Sequence, residues 1–332
     1  MRTIKVGLVA DPAFPSEVAR SLGDLDPPRE DGHDAWSVEM VSEPFTTGSE
    51  DVETAMSRLR DAARQHEWDL VLGLTELPLQ DVDGRHLLAK TDDDQRVAVV
   101  SLPALGGVRV RARARGVVRS LVEGMADPDA AVDSRVTISR SAARWRLLMG
   151  MVIANRPWLL VPGLKSALVA ALATGAVATV NSTVWELAAS LSTWRLVVAT
   201  VVSIALVVGW LIIDGNLWDR RDDDSAEARQ RSRLYNASTF VTLTVGVLIC
   251  YLVLYVVNVV WAFFVLDPSV MAGSVRSPLD HSDLFLLAWF VASAATVGGG
   301  LGSGLESDEA IRAAAYSKRE EERRNRIADE QA

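Results

Sequence analysis

Residues 234–266, LYNASTFVTLTVGVLICYLVLYVVNVVWAFFVL, run for 33 positions without Asp, Glu, Lys, Arg or His. As a helix rising about 1.5 Å per residue, the segment reaches roughly 50 Å, against a hydrocarbon layer of about 30 Å. A soluble domain has no core that encloses such an element. The segment is expected to cross a membrane, with length left over for tilt or for running out among the headgroups.

Three further segments, residues 166–185, 196–213 and 284–305, are also free of charge and long enough to cross. Loop charge sets their direction. Residues 181–193 hold no Lys or Arg, and residues 267–283 hold only Arg276. Residues 214–233 carry Arg220, Arg221, Arg229, Arg231 and Arg233, and the tail from 306 carries Arg312, Lys318, Arg319, Arg323, Arg324 and Arg326. Positive loops stay inside, so a multi-pass protein of the cytoplasmic membrane with both termini cytoplasmic is expected. Trp158, Trp185, Trp194, Trp218 and Trp261 fall near the expected interfaces, where amphipathic rings sit.

The remaining charge is unevenly spread. Residues 1–133 hold 15 Lys+Arg and 25 Asp+Glu, a net of −10, while residues 134–165 hold six basic residues and no acid. An acidic head on a basic neck is not a nucleic-acid footprint, and no nucleic-acid partner is expected. The only cysteine, Cys250, lies inside the long apolar segment and forms no intrachain disulfide. The start, MRTIKVGLVAD, lacks the apolar run and small-residue site of a secretory signal, so the first domain is expected to stay in the cytoplasm.

Residues 1–133 alternate strand and helix patterns. IKVGLVA (4–10) suits a buried strand, 14–25 a helix with Ser16 as a possible N-cap, and 36–41 a second strand. Residues 26–34 form a loop rich in Pro and charge. Ser49 caps a helix through His66, with Glu50, Asp51 and Glu53 in its first turn. Residues 68–74 form a third strand, and 85–89 with 96–102 a hairpin. The pattern predicts an α/β domain built on one mixed sheet. VRVRARARGVVRSLVEGM (108–125) allows two readings. At period two, Arg109, Arg111, Arg113 and Arg115 line a strand, either as an anion site or, more plainly, as a solvated edge protected by charge. In a helix, Arg111, Arg115 and Arg119 share a face instead.

The neck, SRSAARWRLLMGMVI (139–153) followed by Arg156-Pro157-Trp158, is basic at first and apolar after. It is expected to lie at the bilayer surface, with Arg140, Arg144, Arg146, Arg156 and Lys165 on anionic inner-leaflet lipids and Leu147, Leu148, Met151 and Ile153 dipping inward. The alternative is a linker helix packed on the soluble domain.

GGGLGSG (298–304) is not a dinucleotide fingerprint, because it ends an apolar helix. Ala294, Gly298 and Gly302, four apart, predict a flat helix-packing face, as do Ala171, Gly175 and Thr179; either face allows a homo-oligomer. Asn258 is the single strongly polar group deep in the long segment, which is thin support for transport. Asp92–Asp94 and Asp222–Asp224 read as solvated turns, and His33, His66, His86 and His281 show no metal spacing; no cofactor is expected. The tail, 306–332, reads as a charged cytoplasmic helix with Glu–Arg pairs.

Two resemblances bear on these patterns. DLVLGLTELPL, GRHLLAK and RVAVVSLPAL followed by a helix resemble the sheet-and-helix run of archaemetzincin-type zinc peptidases over residues 68–125. That family carries HExxH on the helix; here GVVRSLVEG has no His and only Glu123, so the resemblance implies a scaffold without zinc. NRPWLLVPGLKSALVAALATGAVATVNSTVWEL and ATVGGGLGSGLESDEAIRAAAY resemble uncharacterised, mainly actinobacterial-type, four-span membrane proteins, which implies no activity.

The expected organisation is an α/β domain (1–133), a basic neck (134–165), an all-α bundle of four transmembrane helices (166–305) and a charged tail (306–332). The leading functional expectation is a non-enzymatic ligand- or partner-binding domain anchored by those helices. The rivals are an enzyme using the exit of the first strand at Ala10-Asp11-Pro12, where α/β crevices open although an acid there more often caps the next turn, and a small oligomeric transporter.

Overall fold

The computed structural model describes residues 3–23, 36–46, 52–80, 86–92, 94, 96–127, 135–137, 140–218, 226–275 and 280–302. The expected Ser49 cap with Glu50 and Asp51, the loop 26–34, Asp222–Asp224, the loop charges Arg220, Arg221 and Arg276, and the tail lie outside them. The chain divides into two compact units, one ending at Ala154 and rejoined by residues up to Leu234, the other starting at Asn155.

The first unit is an α/β sandwich. Its elements are β1 (Ile4–Ala10), α1 (Phe14–Arg20), β2 (Trp36–Ser42), α2 (Val52–His66), β3 (Leu70–Thr75), β4 (Leu79–Gln80), β5 (His86–Thr91), β6 (Val97–Ser101), α3 (Val110–Ala126), β7 (Arg135–Thr137) and α4 (Arg140–Ala154). The sheet order is β2-β1-β3-β6-β5-β4, with β7 also on β5. β2, β1, β3 and β6 are parallel; β5 runs antiparallel to β6, β4 and β7. The apolar run LVLGLT makes β3 a fully buried central strand, as parallel sheets covered on both faces require. Helices α1 and α3 cover one face, where Val18, Leu22, Val118 and Leu121 meet Leu8, Leu72 and Val100. Helix α2 covers the other, with Met56 and Leu59 against Val9, Val71 and Val99.

Several local expectations are corrected here. Ser16 is not an N-cap: it lies inside α1, where its hydroxyl donates to Asp11 O (2.8 Å) and meets Ser42 Oγ at 2.5 Å. Asp92 does not face solvent. It is buried and accepts from the amides of Arg96 (2.8 Å) and Val97 (2.9 Å), closing the β5–β6 hairpin. The arginine run is helix, not edge strand. Val110, Ala114, Val118, Leu121 and Met125 recur at helical spacing and are all buried, while Arg111 and Arg115 stay exposed. Ala and Arg are both good helix formers and add no preference for a strand.

The neck helix α4 is the largest correction. It packs on the α/β unit: Leu147 and Met151 are fully buried, Ala154 joins the core beneath the sheet and Ile153 packs against it. Gly150 lies directly on the turn Pro103–Leu105. The apolar half of the helix covers protein, so the expected lipid insertion of Leu147, Met151 and Ile153 does not describe it.

The second unit holds α5 (Leu160–Gly163), α6 (Lys165–Thr179), α7 (Ser182–Ser190), α8 (Thr193–Asp214), α9 (Ala226–Val265), α10 (Pro268–Val275) and α11 (His281–Gly302). Among the described residues, three stretches are long and apolar enough to cross a membrane: Thr193–Asp214, Ser232–Val265 and His281–Gly299; a fourth is counted only if the bent pair Trp145–Gly163 and Lys165–Thr179 is one span. The expected first span, 166–185, is not one helix. Asn181 stops α6 and caps α7 by accepting from Thr183 N (2.9 Å), and Trp185 Nε1 donates back to Thr179 O (2.6 Å). Trp185 is therefore buried and not an interface anchor.

A polar knot ties α8, α9 and α11. Thr200 Oγ1 lies 3.1 Å from Ser293 Oγ and 3.2 Å from Tyr251 OH, and accepts from Trp289 Nε1 (2.8 Å). The knot satisfies hydroxyls that hydrocarbon cannot. The packing face of α11 differs from the one expected. Ala288, Val291, Ala292 and Ala295 are buried, whereas Ala294 and Gly298 are exposed. A Cβ on Gly299 would lie 2.7 Å from both Ala167 O and Ala171 Cβ, but one on Gly298 would meet only Thr174 Cγ2, at 4.0 Å. Gly299→Ala is accordingly expected to cost about 1–2 kcal/mol by overpacking, and Gly298→Ala to cost nothing or to gain up to about 1 kcal/mol from helix propensity. Thermal unfolding of the two variants in detergent checks the contrast.

Two carboxylates cap the helices flanking the polar loop. Asp267 accepts from Ser269 Oγ (2.6 Å) and N (2.8 Å). Asp280 accepts from Ser282 N (2.6 Å), and its own amide donates to Asp283 Oδ2 (2.8 Å). The Ser269 and Ser282 hydrogen bonds hold both carboxyls below the ordinary carboxylate range. A lowered native pKa adds stability that is present above the ordinary pKa of about 4 and lost as the pH falls through the native value. Hydrogen exchange at the Ser269 and Ser282 amides is expected to show protection at pH 6 that disappears on strong acidification.

Candidate functional site

Two places in the first unit gather polar chemistry. The first is the crevice where the sheet order reverses, between the C-terminal ends of β1 and β3. Asp11 sits there, fully buried. Its Oδ1 accepts from Phe45 N (3.2 Å) and its Oδ2 from Thr46 Oγ1 (2.7 Å). Thr75 Oγ1 accepts from Leu77 N (3.1 Å), and Ser101 Oγ donates to Leu77 O (2.8 Å). These bonds latch the segment after β2 and the turn after β3 onto the sheet edge. Both oxygens of Asp11 are engaged in that latch, so its position at the strand exit is explained by folding.

The second place is an open groove of about 530 Å³ lined by Gly106, Gly107, Val108, Arg113, Trp145, Arg146 and Met149. Its floor is the turn after β6. Gly106 adopts φ +86°, a conformation suited to glycine, and a Cβ there would meet Arg113 Nη1 at 3.2 Å. Arg113 donates to Leu105 O (2.6 Å), and Arg146 Nη2 reaches Ala104 O at 3.4 Å. Both guanidiniums are thus held at the rim by the turn's carbonyls. Arg109, left-handed at φ 53°, precedes α3, whose first turn has neither a side-chain cap nor an acid. A helix start of this kind lacks side-chain partners for its first amides and carries a positive dipole end. Among the described residues no carboxylate lines the groove, and three large apolar side chains do: Val108 is 67% exposed, Trp145 68% and Met149 36%.

The residues expected to hold anions scatter around this picture. Arg146 lines the groove. Arg140 and Arg144 lie on the same helix, but their side chains are outside the described residues. Arg156 opens the turn Pro157–Leu159 with φ 53°, and Lys165 starts α6, exposed; both belong to the second unit. Of the expected packing glycines, Gly175 lies under Asn258, whose Cγ would be 3.1 Å from an added Cβ. Gly298 is exposed, and Gly302 ends α11 with surroundings outside the described residues. Val108, Arg109 and Arg113 were not tied to Arg146 by sequence, since about 35 residues separate them; the Gly106-Gly107 break before a basic helix was the available signal. Among the described residues, no group of three His, Cys, Asp or Glu could hold a metal ion.

No family model matches this chain, and no curated protein or solved structure is similar to it. The groove is therefore read on its own chemistry. Among the described residues its lining offers two cations, Arg113 and Arg146, and an apolar rim, with the exposed Arg109 next to Val108 and no nucleophile or general base. That charge suits an anion.

Proposed function

We propose that this chain is a multi-pass protein of the cytoplasmic membrane whose α/β unit is a non-enzymatic binding module, with the groove between the start of α3 and α4 as its binding surface. The observation that carries the reading is the contrast between the two polar places. The groove is open and basic, with no acid among its described lining residues, while the Asp11 latch is closed and internally bonded.

Four spans with both termini cytoplasmic remain the preferred layout. The chain leaves the first unit after Ala154 and rejoins it before Leu234. An even number of crossings between those points supports α6, with its preceding elbow, as the partner of α8, although 15 residues of helix reach only about 22 Å. A bilayer of about 30 Å can thin toward a short helix, and flanking residues such as Lys165 can snorkel. Reporter fusions after Ser190 and Ser274 are expected to read as external, and fusions after Asp224 and Ala332 as cytoplasmic. An external reading at Asp224 overturns the layout.

Binding is tested with the full chain in uncharged detergent. Cys250 is replaced by Ser, and Val108→Cys carries an environment-sensitive fluorophore. Titration with inorganic phosphate, with a polyglutamate peptide and with phosphatidylglycerol is expected to give a saturable change with at least one, lost in the Arg109→Gln/Arg146→Gln variant. Silence toward all three overturns the binding role of the groove.

A further inference from the structure

We infer that the groove docks on the anionic lipid surface of a bilayer, with Trp145, Val108 and Met149 at headgroup depth and Arg109, Arg113 and Arg146 on the phosphates. This rests on the groove being a binding surface and names what it binds. Three observations carry it. The first is the pairing of charge with exposed apolar bulk. A free phosphate or a soluble acidic peptide is satisfied by the guanidiniums alone, and gives no partner to Val108 at 67% and Trp145 at 68% exposure. A bilayer surface supplies both, phosphates outermost and the glycerol and upper acyl region just below, and it is where Trp and Arg side chains accumulate.

The second is the sign of everything else. Residues 1–133 carry a net −10, yet among the described residues the groove has no carboxylate on its lining. An anionic leaflet repels the acidic body and attracts this one patch, so the electrostatics select an orientation as well as a contact. The third is the depth available. Leu147 and Met151 are fully buried in the unit, so α4 cannot roll its apolar half into lipid. Contact is then shallow and made by the rim alone, which predicts strong dependence on salt because headgroup charges act within a Debye length. The helix that carries Trp145 also ends at Ala154, from which the chain runs on to the apolar helices, so the patch is tethered near a bilayer at high effective concentration.

The test uses the full chain, with Cys250→Ser, in nanodiscs of phosphatidylcholine alone or mixed equally with phosphatidylglycerol, each containing a nitroxide-headgroup lipid as quencher. A fluorophore is placed at Val108→Cys, or at Ser57→Cys on α2 as the control; both native side chains are exposed. Quenching at position 108 is expected to exceed that at 57 in the anionic discs, and to fall toward the control in neutral discs or at 0.5 M KCl. At about 1 kcal/mol per basic residue, Arg109→Gln/Arg146→Gln lowers the docking equilibrium about 30-fold. Unchanged thermal unfolding of the double variant shows that the fold is kept. Equal quenching at 108 and 57 in anionic discs overturns the inference. If phosphate or polyglutamate still perturbs the probe in detergent, the binding role stands and only the lipid assignment falls; if no anion does, both fall.

Discussion

Replacing Gly150 by alanine is expected to destabilise the α/β unit by about 3 kcal/mol, the upper end of what overpacking costs. The added Cβ would lie 2.6 Å from Pro103 Cα and 2.7 Å from its carbonyl carbon, both backbone atoms of a turn wedged against the sheet. Neither side can yield by a rotamer change, so α4 must lift and the burial of Leu147 and Met151 is lost with it. The sign is diagnostic. Were α4 lying on lipid, as its basic-then-apolar sequence suggests, an interior Gly→Ala change would favour the helix by about 1 kcal/mol. Gly116, on α3, provides the reference, because a Cβ there meets nothing within 4 Å. Gly116→Ala is expected to stabilise by about 0.5–1 kcal/mol. Pulse proteolysis of the full-length chain in denaturant measures both; a gain in stability for Gly150→Ala defeats the packing described for α4.

The second large effect is expected at Asp11. Its removal in Asp11→Ala takes away the acceptor for Phe45 N and Thr46 Oγ1 in a fully buried position. Leaving buried donors unsatisfied costs about 1–3 kcal/mol each, so a loss of about 3 kcal/mol follows. For a domain of this size that is a fall in melting temperature of roughly 6–12 °C. Asp11→Asn keeps one carbonyl acceptor and is expected to lose less than half as much. A catalytic carboxylate behaves in the opposite way, since strained or desolvated functional groups usually stabilise when removed. Thermal unfolding of the two variants separates these cases: no loss, or a gain, for Asp11→Ala would return the strand exit to candidacy as an active site.

These two positions also mark the limit of one-dimensional reading. What the sequence by itself determined is most strands and helices of the first unit and the long apolar helices of the second. The apolar run 234–266 is helical through Val265, as its 33 positions without charge predict, and the helix begins earlier, at Ala226. The central strand LVLGLT, the β5–β6 hairpin and the α2 boundary at His66 follow from local apolar period and turn chemistry. The α3 helix was legible as well, in Val110, Ala114, Val118, Leu121 and Met125, although its alternating arginines also fitted a strand.

Tertiary structure decided which apolar face met which partner. Leu147 and Met151 make α4 amphipathic, but an apolar stripe is equally satisfied by lipid or by protein, and only the turn Pro103–Leu105 fitted against Gly150 selects protein. On α11, the stripes through Ala294–Gly298 and Ala295–Gly299 are one residue apart and nearly identical in composition; the backbone of α6 at Ala167 and Ala171 chooses the second. Asp11 stood at a strand exit where an acid borders a crevice or caps the next turn, and only the fold shows it as a latch for the segment at Phe45 and Thr46. Hydrophobicity is non-directional, so a chain states how much surface it must hide without stating against what.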